Sequence, residues 1–158
     1  MKQRKPKIPA SFPLLLAGHL LGDFIFQTDH QAKHKNDPGP DGWLALSKHI
    51  RTYHQGIDLA LLPIKIARAG GMRSWGALWR HPLRHRRTIA SANWDLFWAR
   101  AFSIATHMFI DRRWPVVKLQ QETGSPDFAA QPWGVMVTDQ ALHLVVLVIM
   151  SMWIDRQR

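Results

Sequence analysis

The chain has 158 residues, a formal net charge of +10 and no cysteine. That length allows one domain or a few membrane spans with short connections, and the missing thiols exclude disulfides, cysteine-based zinc sites and thiol nucleophiles. Ten of the eleven carboxylates are Asp, and eight Trp stand against one Tyr; few helix faces are therefore ordinary Glu/Lys-rich solvated ones, and the Trp content suits a membrane interface or a nucleic-acid platform.

The chain opens on "MKQRKPKIPASFPLLLAGHLLG", a basic start followed by an apolar stretch, as in a signal peptide. It lacks a small-x-small cleavage site, and His19 and Asp23 fall within or just after the apolar part. It reads as a retained helix, roughly residues 8–27. "TDHQAKHKNDPGPDG" is then expected to be a polar loop closed by Pro-Gly-Pro. A second apolar segment, about 44–67, is the weakest, because Pro63 and Lys65 interrupt it.

From Arg68 to Arg87 the chain holds six Arg and no acid, with Met72, Trp75, Leu78 and Trp79 at helical spacing. The region 68–91 reads either as an amphipathic helix on an anionic membrane surface or as a solvated basic loop. The third segment, Trp94 to about residue 111, contains Arg100, which must snorkel or find a partner. "QQETGSPDFAAQP" is expected to be another loop. The fourth segment, Trp133 to Ile154, meets the requirement of about 20 mainly apolar residues for a span.

These four segments predict an all-α integral membrane bundle forming a single domain over residues 1–158. Twelve Lys and Arg then fall on the side of the N-terminus, the Arg-rich region and the C-terminus, and six on the other. By the positive-inside rule both termini are expected in the cytoplasm, with the protein multi-pass in the cell membrane. The overall mean hydropathy is slightly negative, so a partly soluble helical protein stays open as an alternative.

Histidine and aspartate recur four residues apart: His19/Asp23, His54/Asp58, His107/Asp111 and Asp139/His143. Such residues share one helix face, and the composition alone leads one to expect roughly one pair of this spacing. In an up-and-down bundle His19, Asp23, His49, Asp111 and Asp139 gather at one end. His54 and Asp58 sit deeper and off the face of His49. Converging His and Asp without thiolate suit one or two divalent ions, Zn, Mn or Fe. The expected ligands are His19, Asp23, His49, His107, Asp111, Asp139 and His143. Some of the Asp can instead orient a ligating His through its other ring nitrogen. The alternative is a His–Asp hydrogen-bond network that only fixes helix register.

"LLAGHLLGDFIFQTD", "LSKHIRTY", "ATHMFID" and "TDQALHL", in this order, resemble the family of small bacterial and phage membrane proteins called domain of unknown function 3307. The resemblance covers most of the chain. It implies that His19, Asp23, Gln27, His49, His107, Asp111, Asp139, Gln140 and His143 are the functional positions, with Tyr53 and Thr106 beside them, and it implies a membrane location. His30 stands where an aromatic residue is expected, and the Arg/Trp-rich segment resembles an addition.

Three functions follow as expectations. The first is a metal-dependent hydrolase acting on a membrane-associated substrate, with Asp23 and Asp139 as candidate catalytic carboxylates and Arg112 and Arg113 placed to hold an anionic head group. The second is a metal-binding or structural membrane protein without chemistry. The third is a basic nucleic-acid-binding protein, suggested by the charge and by Trp among Arg. Membrane lipids, with anionic head groups at Arg68 to Arg87, are the partners expected under the first two.

Overall fold

A computed structural model describes residues 10–68, 94–131 and 133–156. Among them there is no strand, and the chain is all-α. Helix α1 (Phe12–Leu20) runs into one π-helical turn (Leu21–Ile25), followed by α2 (Asp29–His34), α3 (Gly39–Ala60) and α4 (Leu62–Arg68). After the undescribed stretch come α5 (Trp94–Ile110), α6 (Trp114–Glu122), α7 (Pro126–Ala130) and α8 (Gly134–Asp155). The basic segment 68–91, apart from Arg68, lies outside the described residues.

The four longer pieces pack side by side in a ring, α1 against α3, α3 against α5, α5 against α8 and α8 against α1. Neighbours run antiparallel. Ser11 at the start of α1 meets Ser151 and Asp155 at the end of α8, and His49 and Asp58 of α3 meet His107 and Arg100 of α5. Leu15, Tyr53, Ile57, Leu96, Leu147, Met150 and Ile154 form the apolar part of the core.

The closest approach is between α1 and α3, and glycine permits it. A Cβ on Gly22 would lie 2.7 Å from the Tyr53 ring and 2.9 Å from its Cα, and one on Gly18 would lie 2.8 Å from Ile57 Cα. Gly18 and Gly22 are four apart, the small-x-x-x-small spacing that lets helix backbones approach. Gly56 completes the contact from the other side.

Two expected loops are partly helical. The segment after the first helix holds α2, which Thr28 and Gln31 start as a reciprocal capping box. That Thr-x-x-Gln pattern satisfies two orphan N–H groups and is readable as a helix start. The "QQETGSPDFAAQP" stretch likewise contains the end of α6 and all of α7. Helix α3 begins at Gly39, inside the Pro-Gly-Pro turn, because Pro40 in the first helical turn loses no bond there and Asp41 complements the helix dipole. It ends at Leu61, since Pro63 has no N–H with which to continue the ladder.

Of the described helices only α8 is long and apolar enough to cross a membrane. Its 22 residues reach about 33 Å at 1.5 Å per residue, against a hydrocarbon core of about 30 Å. The apolar helix in Phe12–Ile25 is shorter, and the second segment is broken at Leu61. The expectation of four full spans therefore reduces here to an all-α packing with one helix of spanning length.

Candidate metal centre

The site begins with the π turn. Its i→i+5 bond, Phe26 N–H donating to Leu21 O at 2.8 Å, inserts an extra residue into the helical turn around Asp23. Single π turns of this kind often mark functional positions. Asp23 is buried, as are His19, His49, His107, Asp111 and His143.

Four of these side chains gather around the facing Nε2 atoms of His49 and His107. His49 Nε2 and His107 Nε2 are 3.0 Å apart. Asp111 Oδ2 is 3.0 Å from the first and 3.1 Å from the second. Asp23 Oδ1 is 3.4 Å from His49 Nε2 and 3.7 Å from His107 Nε2. Donor atoms around a tetrahedral ion with bonds near 2.1 Å stand about 3.4 Å apart, so these separations have the size of a coordination shell's edges. Two imidazole nitrogens and a carboxylate oxygen in a triangle of 3.0 to 3.1 Å share at most one or two protons poorly. A cation at the centre satisfies all three lone pairs.

A second group adjoins it. The opposite oxygen of Asp111, Oδ1, faces His143 Nε2 at 3.8 Å, and His107, Asp111 and His143 each offer a ligand atom to a common point. Asp111 Oδ1 and His143 Nε2, both buried, make no hydrogen bond among the described residues. His107 belongs to both groups, so they overlap as one centre in which Asp111 faces imidazoles with both of its oxygens.

An outer ring fixes the inner one. Asp139 Oδ1 accepts from His143 Nδ1 at 2.8 Å, which turns Nε2 inward; Asp139 is placed beside a candidate ligand, away from the four-atom cluster. His19 sits in the same ring, its Nε2 3.0 Å from Gln140 Oε1 and its Nδ1 3.5 Å from Asp23 Oδ2. The Tyr53 ring packs against His107 with centroids 4.0 Å apart and edge-on to His19. It restrains rings whose Nδ1 atoms have no hydrogen-bond partner among the described residues.

Gln27 accepts from Lys35, and Lys35 Nζ also donates to Asp111 Oδ2, both at 3.0 Å. Lys35 brings the only ammonium group seen at the cluster among the described residues, and nothing in its loop sequence pointed to it. Thr106 lies elsewhere: its hydroxyl donates to Phe102 O and Ser103 O on its own helix. His54 is held by Ile50 O, and Asp58 pairs outward with Lys65 and with Arg100, so the charge of Arg100 finds its partner across α3.

A cavity of about 330 Å³ opens onto the cluster, with Asp23, Asp111, Asp139, Gln140, Lys35 and Arg113 among its walls. Three carboxylates, a buried imidazole set and an open side describe a site able to hold a divalent ion and admit a further ligand.

The model of the family described as protein of unknown function (DUF3307) matches residues 11–157, and the chain belongs to that family. No curated protein and no solved structure matches it.

Proposed function

We propose that this protein is a membrane-embedded metalloprotein whose His/Asp centre holds one or two divalent ions and hydrolyses a membrane-associated substrate. The observation that carries the proposal is the meeting of Asp23 Oδ1, His49 Nε2, His107 Nε2 and Asp111 Oδ2 at coordination-shell distances beneath an open cavity. A bound Zn, Mn or Fe ion supplies Lewis acidity and a water that deprotonates near neutral pH. Asp23, His49, His107 and Asp111 would hold it, and His143 Nε2, facing Asp111 Oδ1, offers a further nitrogen to the same centre. Asp139 lines the cavity and is hydrogen-bonded to His143, a position from which its carboxylate would serve as a base toward a ligand held there.

The membrane reading rests on ionisable groups buried beside the apolar core, beneath an outer surface rich in apolar side chains. Five His and two Asp are buried at the cluster or directly behind it. Large apolar side chains face outward along α5 and α8, including Phe97, Phe109, Val145, Val148 and Ile149. Water penalises that arrangement, and hydrocarbon favours it. Multi-pass insertion with both termini cytoplasmic remains the topology proposed from the charge count.

One observation favours a second reading, a purely structural network. Lys35 already neutralises part of the charge on Asp111, and protonated imidazoles can neutralise the rest. Elemental mass spectrometry of detergent-purified protein separates the two. The expected result is near-stoichiometric divalent metal in wild type and its loss in His107→Ala and in Asp111→Ala. Folded wild type that stays metal-free after reconstitution with Zn, Mn and Fe overturns the metal reading.

A further inference from the structure

The junction between α5 and α6 holds a backbone conformation that its sequence does not favour. Arg113 has φ 61° and ψ −44°, and it alone among the described non-glycine residues has positive φ. Trp114 N–H donates to Arg112 O at 2.6 Å, so Arg113 is the centre of a γ-turn of the rare, strained kind. Glycine takes this conformation without strain. An arginine there calls for a role of its side chain, because strain of this sort persists at sites that use it.

The two neighbouring arginines differ in what they touch. Arg112 donates to Lys35 O and Asp37 O and lies 4.6 Å above the Trp43 ring, which ties the α2–α3 connection to the end of α5. Arg113 is exposed, and its side chain makes no hydrogen bond or ion pair to a described residue. It lines the cavity over the His/Asp cluster and also the adjoining hollow that contains Lys118. Trp114 and Lys118 in turn border a groove of about 800 Å³ between α5, α6 and α8. The walls of that groove are apolar, with Phe102, Phe109, Leu119, Leu142 and Val145 among them.

We propose that Arg113 receives the phosphate of an anionic phospholipid whose acyl chain lies in this groove. The inference rests on the membrane-embedded reading and names the substrate class of the same centre. The charge complements an anion: the Arg113 side chain has no partner among the described residues, Lys118 is only loosely held by Glu122 at 3.6 Å, and a guanidinium fork suits a phosphate. The apolar groove begins one residue further on, where a chain attached to that phosphate must go. The neighbouring cavity brings the phosphoester within reach of Asp23, Asp111 and Asp139.

Full-length protein in phosphatidylcholine nanodiscs, doped with phosphatidic acid and read by native mass spectrometry, tests this. Wild type is expected to retain phosphatidic acid at least tenfold over phosphatidylcholine. Arg113→Gly removes the guanidinium and relieves the turn, so it is expected to melt no lower than wild type, keep its metal content and lose the preference. Arg113→Lys is expected to recover part of it. Val145→Trp, which fills the groove, is expected to weaken retention while metal content stays. No preference in wild type, or an unchanged one in Arg113→Gly, overturns the inference. So does displacement of the lipid by equimolar inorganic phosphate, since the groove would then contribute nothing. Metal content is measured on the same samples, so failure of the metal reading is seen separately.

Discussion

Asp139 and Asp111 carry the same functional group and are placed for different work. Asp111 presents both oxygens to imidazoles, Oδ2 to His49 and His107 and Oδ1 to His143. Asp139 touches only the far nitrogen of His143 and the amide of Gln140. Loss of a direct ligand removes an ion, whereas loss of a residue that orients a ligand typically lowers affinity by about 10- to 100-fold. Asp139→Asn is therefore expected to bind metal with affinity reduced by roughly that factor, and Asp111→Asn to retain none after gel filtration. Competition titration against a fluorescent chelator measures both. Equal affinity for the two variants would mean that Asp139 belongs to the inner set. The spacing of the His/Asp pairs was visible in the sequence, but which member of a pair faces inward was not. That depends on ring rotation and on the π turn at Asp23, neither of which leaves a mark in residue order.

At the scale of elements, the contact between α1 and α3 decides whether the site assembles. The backbones come together at Gly18, Gly22 and Gly56, and Tyr53 fills the space beside Gly22. Gly22→Ala places its methyl against Tyr53 backbone atoms at 2.9 and 3.0 Å, which no rotamer change can relieve. Overpacking of this kind costs about 1–3 kcal/mol. The variant is expected to melt several degrees lower and to bind metal less tightly, because Tyr53 packs on His107 and Asp23 follows Gly22 directly. Thermal melting with and without added Zn is the measurement, and a wild-type melting curve would show that the helices slide apart without consequence. Helix α4 offers a second case. Arg68 Nη1 holds both oxygens of the buried Asp95 at 2.7 and 2.8 Å, and its other nitrogen donates to Ile154 O. This one side chain joins α4, α5 and the end of α8. Breaking a buried pair by removing one partner costs about 3–5 kcal/mol, so Asp95→Ala is expected to lower the melting temperature more than Gly22→Ala does.

For the whole molecule the question is which solvent the outer surface meets. Trp94, Phe97, Trp98, Phe109, Trp114, Val145, Val148 and Ile149 are exposed, while His19, His49, His54, His107, His143, Asp23, Asp95 and Asp111 are buried. We expect the protein to stay with the membrane fraction after alkaline carbonate washing and to need detergent for release. Release by carbonate or by high salt alone would point to a peripheral protein, and a salt-sensitive gel shift with DNA would bring back the nucleic-acid alternative.

Much of the architecture was legible in advance. The segments expected at residues 94–111 and 133–154 coincide within a residue with α5 and α8, because long apolar runs bounded by Trp and by turn residues leave little choice of period. Less legible were α2 and α7, which are too short for periodicity to show, although the Thr28/Gln31 capping pattern was there to be read. What the residue order determined by itself was the chemistry available: no thiol, His and Asp at one-turn spacing, and apolar helices to carry them. What only the tertiary structure decided was which atoms meet. The four-atom cluster joins residues up to 88 positions apart, from Asp23 to Asp111, and Lys35 reaches it from the end of α2 without a periodic signature. Helical spacing places a side chain on a face; only packing between helices, limited here by three glycines, sets the distances of about 3 Å on which metal binding depends.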